Sequence, residues 1–371
     1  MTLSLTSQPQ YFIGLMSGTS LDGVDAVLCE FDSNGSRMLA SQHLPYPDDM
    51  KQAILALQDC SENELDKSAQ LANRLSQIYA QTIQQLLSAA GFDPQQISAV
   101  GSHGQTIRHK PELAYTLQLQ NPALLAELSG IDIVADFRSR DIAAGGQGAP
   151  LVPAFHQAVF SHPEKNRVIV NIGGIANLTI LFPHQRLIGF DSGPGNMLMD
   201  MWAHHHIQQA FDADGAWASS GQVDKDLLDD MLAEPFLKLT PPKSTGRDLF
   251  NYGWLQGILK QRDISAVDVQ RTLLEFTSIT ISHAIQKYAQ ACDEIYLCGG
   301  GAYNRALVEN LRQKLHPVKI AASDDLGVPV NWVEAYAFAW LARQTKLGLA
   351  GNVPSVTGAS GERVLGAVYA R

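Results

Sequence analysis

The sequence predicts an α/β protein built as two related lobes flanking a cleft. Three observations carry that expectation. Apolar runs of strand length alternate with amphipathic helices along the whole chain. The order strand, turn, strand, helix, strand occurs twice, once in each half. Four glycine-rich turns, SGTSLDG (17–23), NIGGIAN (171–177), FDSGPGN (190–196) and CGGGAYN (298–304), each follow a strand.

Taken in order, YFIGLMS and VDAVLCEFD read as a strand pair joined by the first glycine turn. From about Glu62 to Ala90 the apolar residues, among them Leu65, Leu75, Ile83 and Leu87, recur at helical spacing, and Gly91 and Pro94 stop the helix. ISAVGSHGQTI is a strand running into a loop, NPALLAELSG a helix and IDIVADFRS a strand. DIAAGGQGAPLVP, rich in Gly, Ala and Pro, marks a loop and a domain crossover. The pattern then restarts with RVIVNIGGIANLTILF, RLIGFDSGPGN and the helical NMLMDMWAHHHIQQAF. A long helix, DVQRTLLEFTSITISHAIQKYAQA, precedes the strand, glycine turn and helix of EIYLCGGGAYNRALVENLRQKL. VNWVEAYAFAWLARQTKLGL is the last long helix. The expected lobes are residues 1–135 and 136–348, with 349–371 packing back on the first through the apolar run VLGAVYA.

Bulk properties narrow the function. The chain has 371 residues, 45% hydrophobic and 17% charged, long enough for two domains. A net charge of −10 without a basic run argues against nucleic acid or an anionic membrane as main partner. Cys29, Cys60, Cys292 and Cys298 lack CxxC spacing, and Cys29 and Cys298 sit in apolar runs. A reduced, cytoplasmic protein is expected, since MTLSLTSQPQ has neither the basic start nor the apolar core of a signal peptide. His204, His205 and His206 are consecutive, without the i, i+4 spacing of a metal pair, and read as a surface cluster.

Glycine permits close backbone approach, so successive N–H groups can converge on an anion. One such turn could equally be a tight hairpin. Four at strand ends, spread over both halves, point to a nucleotide site. There is no GxxxxGK[ST], no GxGxxG after the first strand and no HRD or DFG, which sets aside P-loop, dinucleotide and protein-kinase sites. What remains is a hairpin that holds phosphate through backbone and hydroxyl donors. YFIGLMSGTSLDGVD, RVIVNIGGIAN and YLCGGGAYN resemble, in that order, the two phosphate hairpins and the adenosine turn of the sugar kinase, Hsp70 and actin superfamily. The fold this resemblance implies is the actin-like ATPase type, ribonuclease H-like, around a central nucleotide cleft.

A closer resemblance follows from GLMSGTSLDGVD, SHGQTI, VADFR, GGQGAPLVP, NIGGIANLT, GFDSGPGN, KSTGRDLFN and CGGGAYN. This ordered set, spread over residues 11–342, is similar to anhydro-N-acetylmuramic acid kinase. The resemblance implies an enzyme that uses ATP, Mg²⁺ and water on 1,6-anhydro-N-acetylmuramic acid. It opens the anhydro ring to give N-acetylmuramic acid 6-phosphate and ADP in murein recycling, and a homodimer is plausible. A kinase for a different sugar, or a phosphohydrolase of the same superfamily, is the alternative. The resemblance places ATP on Gly18, Thr19, Ser20, Leu21, Asp22, Gly23, Val24 and Asp25, and on Asn171, Gly173, Gly174, Gly193, Gly299, Gly300, Gly301 and Asn304.

The reaction needs a base for water. An inverting glycosidase uses two carboxyl groups, but here the phosphoryl group can capture the leaving oxygen in place of a proton, so one carboxylate suffices. Asp191, ending a strand beside a glycine turn, is the candidate, and the resemblance assigns the base there too. The plain alternative is a cap for the helix starting near Asn196. Asp22 is a candidate Mg²⁺ or sugar contact, and Asp25 a brace for the hairpin. His103 and Gln105 after their strand are sugar contacts or structural residues. Arg138 could take a lactyl carboxylate bidentately, or pair with Asp136. Glu334, in the first turn of an apolar helix, favours the helix dipole, while the resemblance makes it a sugar contact. Lys243 and Arg247 either meet phosphate or organise the lobe interface.

Overall fold

The computed structural model describes residues 9–18, 21–33, 35–58, 60–260 and 262–371. The chain divides into two compact units, residues 1–159 with 332–371, and residues 160–331.

The first unit opens with β1 (Gln10–Met16), β2 (Gly23–Asp32) and β3 (Gly35–Pro45) as an antiparallel meander. β4 (Ile97–Ser102) lies parallel to β1 on its other side. β5 (Gln105–Lys110) and β6 (Tyr115–Leu119) form a separate two-stranded ribbon, and β7 (Ile133–Ala135) runs parallel to β4. The main sheet therefore has the order β3-β2-β1-β4-β7, the third, second, first, fourth and fifth strands in sequence.

β1 is central and covered on both faces, which is why FIGL is apolar in succession rather than alternating. On one face Ile13 and Leu15 meet Leu75, Tyr79 and Ile83 of the helix Glu64–Ala90. On the other, glycines make the floor for the helix Val333–Lys346. A Cβ on Gly14 would lie 1.8 Å from Ala335 O, and one on Gly101 2.0 Å from Phe338 O. This close seat places the helix Val333–Lys346 in the first unit, whereas the boundaries expected from the sequence assigned it, and residues 136–159, to the second.

The second unit repeats the arrangement. β8 (Arg167–Ile172), β9 (Ile175–Leu181) and β10 (Ile188–Pro194) form an antiparallel meander. β11 (Glu294–Cys298) lies parallel to β8, and β12 (Lys319–Ala322) parallel to β11. The order β10-β9-β8-β11-β12 is again third, second, first, fourth, fifth. Two sheets with one strand order, and with the second strand of each antiparallel, give the ribonuclease H-like α/β plan twice. The helix Ala266–Tyr288 starts at Ser265, whose side chain accepts from Asp268 N, and buries Leu273, Phe276 and Ile281 under this sheet. Finally β13 (Ala367–Tyr369) pairs antiparallel with β7, so the VLGAVYA run does become a strand on the first unit.

Some elements differ from expectation. The sequence pattern assigns no strand between the first hairpin and the helix from Glu64, yet β3 pairs with β2 at the edge of the sheet, half-buried on a mixed pattern. The segment DIAAGGQGAPLVP is not one loop: the helices Ser139–Ala143 and Val152–Phe160 take its two ends, because Ala, Val and Phe at those ends can be buried. Of IDIVADFRS only Ile133–Ala135 is strand, since Asp136 turns the chain with a φ of 58°. No helix among the described residues is long and apolar enough to cross a membrane.

Candidate active site

Asp191 sits on β10, the edge strand of the second sheet. The free edge of β10 is used by the loop from Lys243 to Thr245. Asp191 N donates to Lys243 O at 3.1 Å. Ser244 Oγ and Thr245 N then donate to Asp191 Oδ2 at 2.8 and 2.9 Å. Both bonds fall on Oδ2, which leaves Oδ1 for a water. The pairing with β9 shifts register between Asp191 and Gly193, and a bulge at this point re-aims the side chain. Burial raises the Asp191 carboxyl to about 6, against the pull of Thr245 N, Ser244 Oγ and Lys243. The capping alternative does not hold: the helix Met197–Ile207 starts at Asn196 with no side-chain cap, and Asp191 is engaged by the loop.

Three glycine turns of the second unit meet at one end of its sheet. Asn196 N donates to Gly173 O at 2.8 Å and Gly195 N to Gly174 O at 2.9 Å. The third turn packs on the other two: a Cβ on Gly301 would lie 2.3 Å from Ile172 Cγ2 and 2.8 Å from Asn196 Oδ1. Gly299 has a φ of 78°, and a Cβ there would lie 2.4 Å from Asn171 Oδ1. Only glycine fits, and the backbone is left bare for a ligand. Asn171, Gly173, Gly174, Gly299, Gly300 and Gly301 thus belong to one cluster. Asn304 is committed as a helix cap, its Oδ1 accepting from Leu307 N at 3.1 Å.

In the first unit the opening turn links β1 and β2. Thr19 and Ser20 lie outside the described residues. Leu21 N donates to Gly18 O at 3.4 Å, and Leu21 has a φ of 62°. Asp22 is exposed on this turn. Gly23 and Val24 are already strand, and the Val24 side chain is wholly buried in the core, so only its backbone is open to a ligand. Asp25 is a brace: its Oδ1 is 2.7 Å from His43 Nδ1. Burial raises the Asp25 carboxyl, while His43 draws it back.

Gln105, also in the first unit, donates through Nε2 to Gly18 O at 3.2 Å, and its Oε1 is buried with no hydrogen-bond partner. His103 Nε2 accepts from Arg138 Nε at 3.2 Å and Nη2 at 2.9 Å. His103 is therefore neutral with its proton on Nδ1, and burial, then Arg138, hold it well below the usual histidine range. Arg138 Nη1 donates to Gly148 O at 2.7 Å. A guanidinium has five N–H groups. Three are used, leaving one on Nη1 and one on Nη2 for a carboxylate. Burial lowers Arg138 to about 10, which still keeps it charged at neutral pH, and Glu334 and Asp141 favour that charge. Arg138 does not pair with Asp136, which instead accepts from Ser139 Oγ. Glu334 stands in the first turn of the helix Val333–Lys346.

Lys243 and Arg247, left undecided by the sequence, now separate. Lys243 belongs to the loop that holds Asp191, and Arg247 is exposed beyond it. Ser244 and Thr245 were visible only as part of the KSTGRDLFN motif; nothing in their spacing tied them to Asp191, 53 residues earlier. Ser17, a hydroxyl of the first glycine turn, has its Oγ 2.8 Å from Tyr79 Oη and donates to Gly104 O at 3.1 Å, so it braces the turn from within. His204, His205 and His206 are exposed at the end of the helix Met197–Ile207, and His206 packs on Trp202 with ring centroids 4.0 Å apart.

A family model described as anhydro-N-acetylmuramic acid kinase matches residues 10–371. The chain is 52% identical over 361 residues to the anhydro-N-acetylmuramic acid kinase of Nitrosospira multiformis, covering 97% of this chain and 98% of that protein. It is 53% identical over 363 residues to that of Chromobacterium violaceum, covering 97% and 99%. Among solved structures, component A of the Acidaminococcus fermentans (R)-2-hydroxyglutaryl-CoA dehydratase aligns at 12% identity with a TM-score of 0.45, covering 89% of this chain and 96% of that chain. With a family match over nearly its whole length and relatives above half identity, the chain belongs to the anhydro-N-acetylmuramic acid kinase family.

Proposed function

We propose that the protein is an ATP-dependent sugar kinase that opens 1,6-anhydro-N-acetylmuramic acid with water and phosphorylates the freed O6, yielding N-acetylmuramic acid 6-phosphate and ADP. One observation carries the chemistry: a buried carboxyl, Asp191, raised to about 6 and bonded on one oxygen only. A base poised just below neutral pH is mostly ionised yet still basic enough to take a proton. Its free Oδ1 accepts a proton from water as the water oxygen bonds to the anomeric carbon. The C1–O6 bond breaks with its electron pair on O6. O6 bonds to the γ-phosphorus, and ADP leaves with the electrons of the Pγ–O bond. The proton on Asp191 then passes to solvent.

The glycine turns at Gly173–Gly174 and Gly299–Gly301 suit a nucleotide, because successive backbone N–H groups in such turns can converge on a phosphate. The turn from Gly18 to Asp22 suits the phosphates, with Gln105 fixing its carbonyl at Gly18. Mg²⁺ in such sites rides on phosphate and water with one or two carboxylates. The exposed Asp22 fits that donor set, and the cation would offset charge on the phosphates. In the first unit the two spare N–H groups of Arg138 match a lactyl carboxylate, and neutral His103 orients the guanidinium. The test is ADP release from ATP with and without the anhydro sugar; strict dependence on the sugar is expected.

A further inference from the structure

The face of β10 opposite Asp191 borders a cavity of about 280 Å³ within the second unit. Phe190 and Leu237 give it apolar walls, and Tyr288 packs on Phe190 with ring centroids 5.1 Å apart. Lys238, Lys243, Lys287 and His283 also line it, and the lining contains no carboxylate. Ammonium groups that face one another across a lining without a carboxylate disfavour each other, and an anion between them offsets that. Burial and then Lys287 lower the Lys243 ammonium, with Asp191 drawing it back to a lesser degree, so the two cations act on each other across this space.

We propose that this cavity is a second ligand site that binds a phosphate monoester with a compact apolar body. The dianionic head lies between the Lys243 and Lys287 ammonium groups and relieves their mutual repulsion. The apolar body lies against Phe190 and Leu237. Lys243 now holds Phe236 O and Leu237 O at 3.2 and 3.3 Å and carries the carbonyl that accepts from Asp191 N. A bound phosphate competes for that ammonium, so occupancy is felt by the loop that holds Asp191. This link to turnover rests on Asp191 being the base; the binding itself does not.

The probe is phenyl phosphate, titrated calorimetrically into the whole protein in the presence of saturating ADP, beside benzyl alcohol as a neutral counterpart. Lys287→Gln and Lys287→Arg are compared, and the melting temperature of each shows that it is folded. The expected result is binding of phenyl phosphate, about tenfold weaker in Lys287→Gln and near normal in Lys287→Arg, with benzyl alcohol much weaker throughout. Lack of binding to the unaltered protein, equal binding to Lys287→Gln, or equal binding of benzyl alcohol each overturns the site. If binding behaves as expected and turnover does not change with phenyl phosphate, the site stands and the link to Asp191 is overturned.

Discussion

At the scale of single residues, catalysis depends on where Asp191 keeps its charge. Its folded carboxyl is raised from 3.8 to about 6 by burial. A group raised on folding favours the protonated native state, so its contribution to stability is fully present below about pH 4 and is lost as pH rises through about 6. At neutral pH the ionised carboxylate is therefore a cost. Asp191→Asn should melt higher, by an amount corresponding to about 1–3 kcal/mol, while turnover falls by ~10²–10⁴-fold. Calorimetric melting and steady-state kinetics check the two together, and a variant that lost stability along with activity would point to a structural role. For the unaltered enzyme kcat/KM should fall tenfold per pH unit below about 6, the limb set by this carboxyl. Ser244→Ala removes a hydrogen bond that favours the ionised form. That limb should move up by about one unit, which a pH–rate profile would reveal.

At the scale of elements, glycine positions decide how strands, turns and helices meet. Gly299→Ala forces a Cβ to within 2.4 Å of Asn171 Oδ1 at a φ of 78°. The turn must shift, KM for ATP should rise by about tenfold or more, and the strain should cost about 1–3 kcal/mol of stability. Gly14→Ala is more severe, because its Cβ would lie only 1.8 Å from Ala335 O, in the backbone of the helix Val333–Lys346. Global destabilisation of about 3 kcal/mol or more is expected, read from denaturant unfolding. These elements also mark what was legible in the sequence. The strand–turn–strand hairpins, the long helices and the glycine turns announced themselves through period and composition. The seat of the helix Val333–Lys346 did not, because a helix apolar all round has no periodicity that names its partner, and Gly14 and Gly101 look like any strand glycines. Asp191 was recognisable as a strand-end acid beside a glycine turn. Its partners Ser244 and Thr245 were not, since the contact between an edge strand and a distant loop leaves no local pattern.

At the scale of the whole molecule one strand order, third, second, first, fourth, fifth, is used twice, once per unit. The first unit is completed by the C-terminal segment. Asn352 Nδ2 and Thr357 Oγ1 donate to the fully buried Asp141 at 2.6 and 2.7 Å, and Asp141 Oδ2 accepts from Gly148 N at 2.8 Å, beside the carbonyl that holds Arg138. Deleting residues 351–371 strips two donors from a buried carboxylate and removes β13. Loss of about 3 kcal/mol or more is expected, detectable as a lower melting temperature. The central claim is that a kinase of this fold spends ATP only when water opens an anhydro sugar. Its most direct test is ADP release with ATP and Mg²⁺, run with 1,6-anhydro-N-acetylmuramic acid, with N-acetylmuramic acid, with N-acetylglucosamine and with no sugar. Release is expected only with the anhydro sugar, with a product carrying phosphate on O6. Release without any sugar, or with another sugar alone, would contradict the substrate and the role of Asp191 as the base that activates water.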